Sequence, residues 1–167
     1  SQLIERYTMK NYFALFIILS VSAVAWQSAQ AADATAGKDT RTLEQKLLPP
    51  DNIRLPPANA LRTASGLRYV ILKRGSGNTH PVPTSEVEID YTGWDFQGRM
   101  FDSSLPRGKP SQFQLTNLIK GWQEGVLLMS PGDTFRFWIP GNLAYDGSGG
   151  DAPKGKLVFD STLYDFK

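Results

Sequence analysis

Two short segments and the turn between them constrain this chain most: Ile89-Asp90-Tyr91-Thr92-Gly93, then Gln97-Gly98-Arg99, then Met100-Phe101-Asp102-Ser103-Ser104. Val87, Ile89 and Tyr91 alternate with Glu88, Asp90 and Thr92, which is the period of a strand half-buried against a core. Gly98 supplies the permissive backbone that a tight reversal needs. The segment predicts a hairpin with Tyr91 inward and Phe101-Asp102 beside it. An aromatic wall next to one carboxylate is the start of a binding pocket.

Composition narrows what such a pocket can do. There is no cysteine, which removes disulfides, thiol catalysis and thiolate metal sites together. The single histidine, His80, lies in a Gly/Pro/Thr-rich loop with no nucleophile elbow near it. The formal net charge of +2, with basic residues scattered, lacks the concentrated basic face of a nucleic-acid binder. Four Trp, six Tyr and nine Phe are enough to line a cavity as well as fill a core.

Three regions follow along the chain. Residues 1–31 read as an export signal. A start at Met9 and the charge of Lys10 precede the apolar run Tyr12 to Trp26, and Ala29-Gln30-Ala31 is an A-x-A cleavage site, with cleavage after Ala31. The alternative is a retained membrane anchor, although the run is short of the roughly 20 residues a spanning helix needs. An exported chain without cysteine suits an oxidising compartment, with the periplasm as the expected location. Residues 32–63 change composition. Thr42 to Leu48 predicts two helical turns, stopped by Pro49-Pro50 and followed by Pro56-Pro57. The stretch reads as a Pro-rich linker, or as an arm that packs on the domain or on a second subunit.

Residues 64–167 carry the folded domain. Strands are predicted over Leu67 to Lys73, Glu86 to Phe96, Arg99 to Ser103, Gln112 to Leu115, around Phe135-Phe137-Ile139, and from Leu157 to about Asp165. Ile119, Trp122 and Val126 share one helical face, with Asn117 placed to cap it. Gly121 and Gly125 weaken that helix by roughly 1 kcal/mol each, so it holds only if a sheet packs hard against it. The fold class is α+β: a curved antiparallel β-sheet wrapped around one short α-helix.

Five motifs in unbroken order carry a resemblance. They are Asp90-Tyr91-Thr92-Gly93, Phe101-Asp102-Ser103-Ser104, Ile119 to Gly125, Ala144-Tyr145, and Leu157-Val158-Phe159-Asp160. Together they resemble the FKBP-type peptidyl-prolyl cis-trans isomerases, in the secreted bacterial branch, over about residues 64–167. The resemblance implies an enzyme that speeds isomerisation of X-Pro bonds in exported proteins, with no cofactor, metal or covalent intermediate. A catalytically weak peptide-binding or chaperone module is the alternative. It further implies Trp122 under the prolyl ring, with Tyr91, Phe101, Leu118, Ile119 and Phe159 as walls. The Ile119 N–H and Tyr145 hydroxyl would bond substrate carbonyls, and Asp102 would face the substrate's polarised carbonyl or order its neighbours. From the residues alone, Leu118, Ile119, Phe159 and Trp122 read also as core, and Asp102 as a turn or salt-bridge carboxylate.

The chain departs from the family pattern at three places. Ser111 follows Lys109-Pro110 where an aromatic is frequent, Asp146 stands where Gly follows Ala-Tyr, and a shorter Asp151-Ala152-Pro153 replaces an Ile-Pro-Pro-like stretch. These predict a pocket open and polar on one side, reduced activity, and weaker binding of macrolide inhibitors. The expected partners are X-Pro segments of folding proteins; contact with a membrane would come only through an uncleaved signal. Asp146 to Asp151 has two carboxylates among glycines but lacks the ligand spacing of a calcium loop.

Overall fold

The computed structural model describes residues 39–167; the export-signal reading of residues 1–31 lies outside them. In chain order the elements are α1 (Leu43–Leu47), β1 (Leu61–Arg62), β2 (Arg68–Lys73), β3 (Glu86–Asp95) and β4 (Met100–Ser103). They continue with β5 (Ser111–Gln114), α2 (Lys120–Val126), β6 (Thr134–Ile139) and β7 (Leu157–Phe166). All strand pairs are antiparallel, in the order β1-β2-β6-β7-β3-β4, and β5 also pairs with β3. β3 is the axis. It runs beside β7 from Val87 to Asp95, and its other edge is shared by β5 at one end and β4 at the other. The α+β architecture of a sheet over one short helix is the one the sequence predicts.

Alternation decides the two faces. Val87, Ile89 and Tyr91 of β3, Phe135, Phe137 and Ile139 of β6, and Leu157, Phe159 and Leu163 of β7 point to the inner face. Trp122 and Val126 of α2 close on them. The glycines of α2 allow that approach. A side chain at Gly121 would collide with Ile139, and a Cβ at Gly125 would lie 2.6 Å from the Phe137 ring. The close contact offsets the poor helix propensity of a seven-residue element.

Three sequence expectations are corrected. Asn117 does not cap α2: the N-cap is Ile119, without a side-chain cap, and Asn117 ends a 3₁₀ turn over Leu115–Asn117. The central strands are half-buried only in part: β3 alternates from Glu86 to Asp90 but is buried on both faces from Tyr91 to Asp95, and β6 is buried at every position but Arg136. Trp94, Trp138 and Val158, on the outer face, form a second buried cluster with Ile53. The third concerns what covers them. Residues 41–53 lie along the outer face of the sheet as a strap, where a linker was the first reading.

The strap has a clear local logic. Thr42 caps α1 in a capping box with Gln45, and Pro49-Pro50 turns the chain back across the strands. The Trp94 indole N–H donates to the Leu47 carbonyl and the Trp138 indole N–H to the Asn52 carbonyl, each at 3.0 Å. Asp160 of β7 receives Arg136 Nε at 2.6 Å, Arg136 Nη2 at 2.8 Å and Arg41 Nη1 at 2.7 Å. Burial works against the charge of Asp39, but its hydrogen bonds to Arg41 outweigh that and hold its pKa below the usual carboxylate value. Among the described residues no helix is long and apolar enough to cross a membrane.

Candidate functional site

The inner face opens at one end into a cavity of about 230 Å³. Its walls are Tyr91 of β3, Phe101 and Asp102 of β4, Phe113 of β5, Asn117, Leu118 and Ile119 on the approach to α2, Trp122 of α2, Tyr145, and Phe159 of β7. All eight residues singled out in the sequence are thus brought together. Phe113 and Asn117 join them.

Trp122 is the floor and is only 3 % exposed. Its ring meets Tyr91 edge-on at 5.3 Å and 89°, Phe159 at 5.4 Å and 71°, and Phe113 at 6.2 Å and 80°. Phe101 stands edge-on to Phe159 at 5.5 Å. Perpendicular packing is the preferred arrangement for rings with opposed edge and face charge, and it leaves faces turned to the cavity. Gly93 lets two of these walls meet: a Cβ there would lie 2.6 Å from Phe159 and 2.8 Å from Phe101. The Trp122 indole N–H is buried with no acceptor among the described residues.

The polar side is built around one hydroxyl. Tyr91 donates to Asp102 Oδ2 at 2.5 Å and accepts from Arg107 Nη2 at 3.1 Å. Arg107 also reaches Asp102 Oδ1 and Ser111 Oγ and lies 5.9 Å from the centre of the Tyr91 ring. Burial first, then the Asp102 hydrogen bond, raises the Tyr91 pKa, with Arg107 opposing. Burial and the charge of Asp102 raise that of Tyr145. Both phenols hold their protons more tightly than a free tyrosine. Ser104 fixes this wall from behind, accepting from the Tyr91 N–H at 2.9 Å and donating to Asp90 Oδ1 at 2.6 Å.

At the mouth the Leu118 N–H is used by the Leu115 carbonyl, and the Ile119 carbonyl accepts from Trp122 and Gln123. The Ile119 N–H donates to no acceptor among the described residues. No residue between Asp146 and Lys156 lines the cavity. Sequence reasoning missed Phe113, whose alternation with Gln112 and Gln114 opposite β3 marked it as inward. It also missed Arg107, which only the turn over Leu105–Arg107 brings back to Tyr91. No group of three or more metal-ligating side chains occurs among the described residues. The cavity offers aromatic faces, one tethered carboxylate, two phenols and one backbone N–H, a largely apolar setting with a few polar contacts.

Comparison with known proteins agrees with this geometry. The model of the FKBP-type peptidyl-prolyl cis-trans isomerase family matches residues 77–164. The macrophage infectivity potentiator of Trypanosoma cruzi is 35% identical, over 98% of this chain and 86% of its own length. FkpA of Aeromonas hydrophila, named as an isomerase of this type, is 45% identical over 60% of this chain, which spans 38% of that relative. The crystal structure of FkpA from Escherichia coli superposes with a TM-score of 0.61 at 34% identity, covering 66% of this chain and 53% of that one.

Proposed function

The chain belongs to the FKBP-type peptidyl-prolyl cis-trans isomerases, and from that premise we propose that the Trp122-floored cavity is where it rotates the peptide bond before proline. The carrying observation is the cavity itself: six aromatic side chains around a space of about 230 Å³. An X-Pro amide prefers trans by only about 0.5–1 kcal/mol, yet the barrier between isomers is about 18–20 kcal/mol. At the top of that barrier the C–N bond has lost its resonance and much of its dipole. An apolar site therefore disfavours the planar ground state relative to the twisted one.

The roles follow from position. The prolyl ring lies on the Trp122 indole between Tyr91, Phe101 and Phe159. Leu118 and Ile119 close the mouth. The Ile119 N–H and the Tyr145 hydroxyl receive substrate carbonyls, which costs no protein hydrogen bond because neither donates elsewhere among the described residues. Asp102, anchored by Tyr91 and Arg107, orders the wall and meets the carbonyl preceding proline. No proton changes hands; the phenols act as neutral hydrogen-bond donors throughout.

The substrates are X-Pro segments of folding proteins, where isomerisation on a scale of tens of seconds limits folding. We place this activity outside the cytoplasm, on the strength of the export-signal pattern of residues 1–31 and of relatives such as the outer membrane protein MIP of Legionella longbeachae. The absence of lining residues between Asp146 and Lys156 favours extended polypeptide over a compact macrolide. Catalysis of X-Pro isomerisation in a short peptide tests the reading, and sequencing the N-terminus of the exported form tests the location.

A further inference from the structure

Tyr145 reaches the cavity from a connection that is otherwise remote from it, and the residue after it is the family departure Asp146. We propose that Asp146 is a positioning residue for the isomerase site: its carboxylate fastens the loop over residues 146–155 and so holds the Tyr145 hydroxyl at the mouth. This rests on the role given to Tyr145 above.

Four observations carry it. Asp146 Oδ1 accepts from the Gly155 N–H at 2.6 Å, joining the two ends of the loop. The same carboxylate lies directly on Gly141, where any side chain would collide with it. The Gly141 carbonyl in turn accepts from the Ala144 N–H at 3.0 Å and the Asp146 N–H at 3.2 Å, the two residues that flank Tyr145. Finally, the Tyr145 carbonyl is held by the Ser148 N–H and by Lys154 Nζ, each at 2.9 Å. Lys154 also bonds the Ser148 carbonyl.

The Tyr145 backbone is thus held by local turns on both sides and, through Lys154, by the far end of the loop that Asp146 closes onto Gly155. Its hydroxyl has no protein partner among the described residues, so nothing at the other end of the side chain fixes it. A Gly at 146 would leave the Gly155 N–H unpartnered and the space over Gly141 empty. The pair Gly141 and Asp146 therefore works as a unit, with a side chain at 146 filling what a side chain at 141 would otherwise occupy.

A double-mutant cycle on the full chain tests this, reading kcat/KM on an X-Pro peptide together with hydrogen exchange at the Gly155 amide. Asp146→Ala should lower kcat/KM roughly fivefold, well short of the hundredfold that an ångström of misplacement can cost. Asp146→Asn keeps an acceptor oxygen and should restore most of the rate. In a Tyr145→Phe background Asp146→Ala should cost nothing further, and Gly155 should exchange slowly in the wild type and the Asn variant but fast in the Ala variant. An equal loss from Asp146→Ala in both backgrounds, or a wild-type rate in the Ala variant, would overturn the proposal. A wild-type chain with no catalysed rate would contradict the isomerase reading instead; the Gly155 exchange would then decide the fastening alone, with equal exchange in the wild type and the Ala variant overturning it.

Discussion

Tyr91 and Asp102 are joined by a 2.5 Å hydrogen bond, hydroxyl to carboxylate, across the junction of β3 and β4. The bond ties the aromatic wall to the only acid that lines the cavity. Asp102→Ala should lower kcat/KM by about tenfold, the worth of one charge-assisted hydrogen bond. It should also let Tyr91 and Tyr145 ionise at lower pH, because the carboxylate helps raise both. Ultraviolet titration of phenolate formation reads the second effect directly. Unchanged titration in the variant would remove Asp102 from the polar side of the site.

Gly93 lets the Phe159 and Phe101 walls meet. A methyl group there would lie 2.6 Å from Phe159 and 2.8 Å from Phe101, in each case a ring atom. Gly93→Ala should destabilise the fold by about 1–3 kcal/mol and reduce activity more than stability accounts for. Denaturant midpoint and kcat/KM on the same preparation separate the two effects.

Tyr164 gives a pH signature away from the site. Its hydroxyl donates to Asp90 Oδ2 at 3.0 Å, and burial, then that hydrogen bond, pushes its pKa up to about 12. The unfolded value is about 10. A raised folded pKa means that the folded state holds the proton more tightly. The stability this contributes is complete below pH of about 10 and is lost as pH rises through the folded value. Stability should therefore fall more steeply between about pH 10 and 12 in the wild type than in Tyr164→Phe, by denaturant titration at each pH.

The strap predicts where the folding unit begins. A chain starting at residue 64 loses Ile53 from the cluster with Trp94, Trp138 and Val158, and loses Arg41 from Asp160. Burial of Ile53 alone is worth about 1.5–3 kcal/mol. The shortened chain should unfold at lower denaturant and bind a hydrophobic dye, whereas a chain starting at residue 39 should do neither. Equal stability of the two would make the strap an adornment.

Much of this was legible before any coordinates. The inward set Val87, Ile89, Tyr91, Phe135, Phe137 and Ile139 follows from alternation alone, whereas the helical face of Trp122 marks it only as core and its place at the cavity came from the family resemblance. What failed was long-range or compensating. Alternation cannot say that the outer face is buried when the cover is a Pro-rich segment some 40 residues upstream of Trp94. Asn117 has the side chain of a cap, but its backbone is spent in a 3₁₀ turn, and α2 starts uncapped because its packing on Phe137 and Ile139 suffices. Arg107 left no sequence signal, since its partners Tyr91 and Asp102 come from other strands. Trp122 illustrates the overlap of the two roles. It is both floor and core, so Trp122→Ala would cost about 3–5 kcal/mol and confuse loss of fold with loss of function.

Phe101 escapes that difficulty, being only partly buried and packed mainly on Phe159. The most direct measurement is therefore the isomerisation rate of an X-Pro peptide in a protease-coupled assay, with wild type and Phe101→Ala compared at matched concentration and confirmed fold. A catalysed rate proportional to wild-type concentration, reduced at least about tenfold in the variant, is the predicted result. A wild-type rate equal to buffer alone, or a variant as active as wild type, would contradict the assignment of catalysis to this cavity.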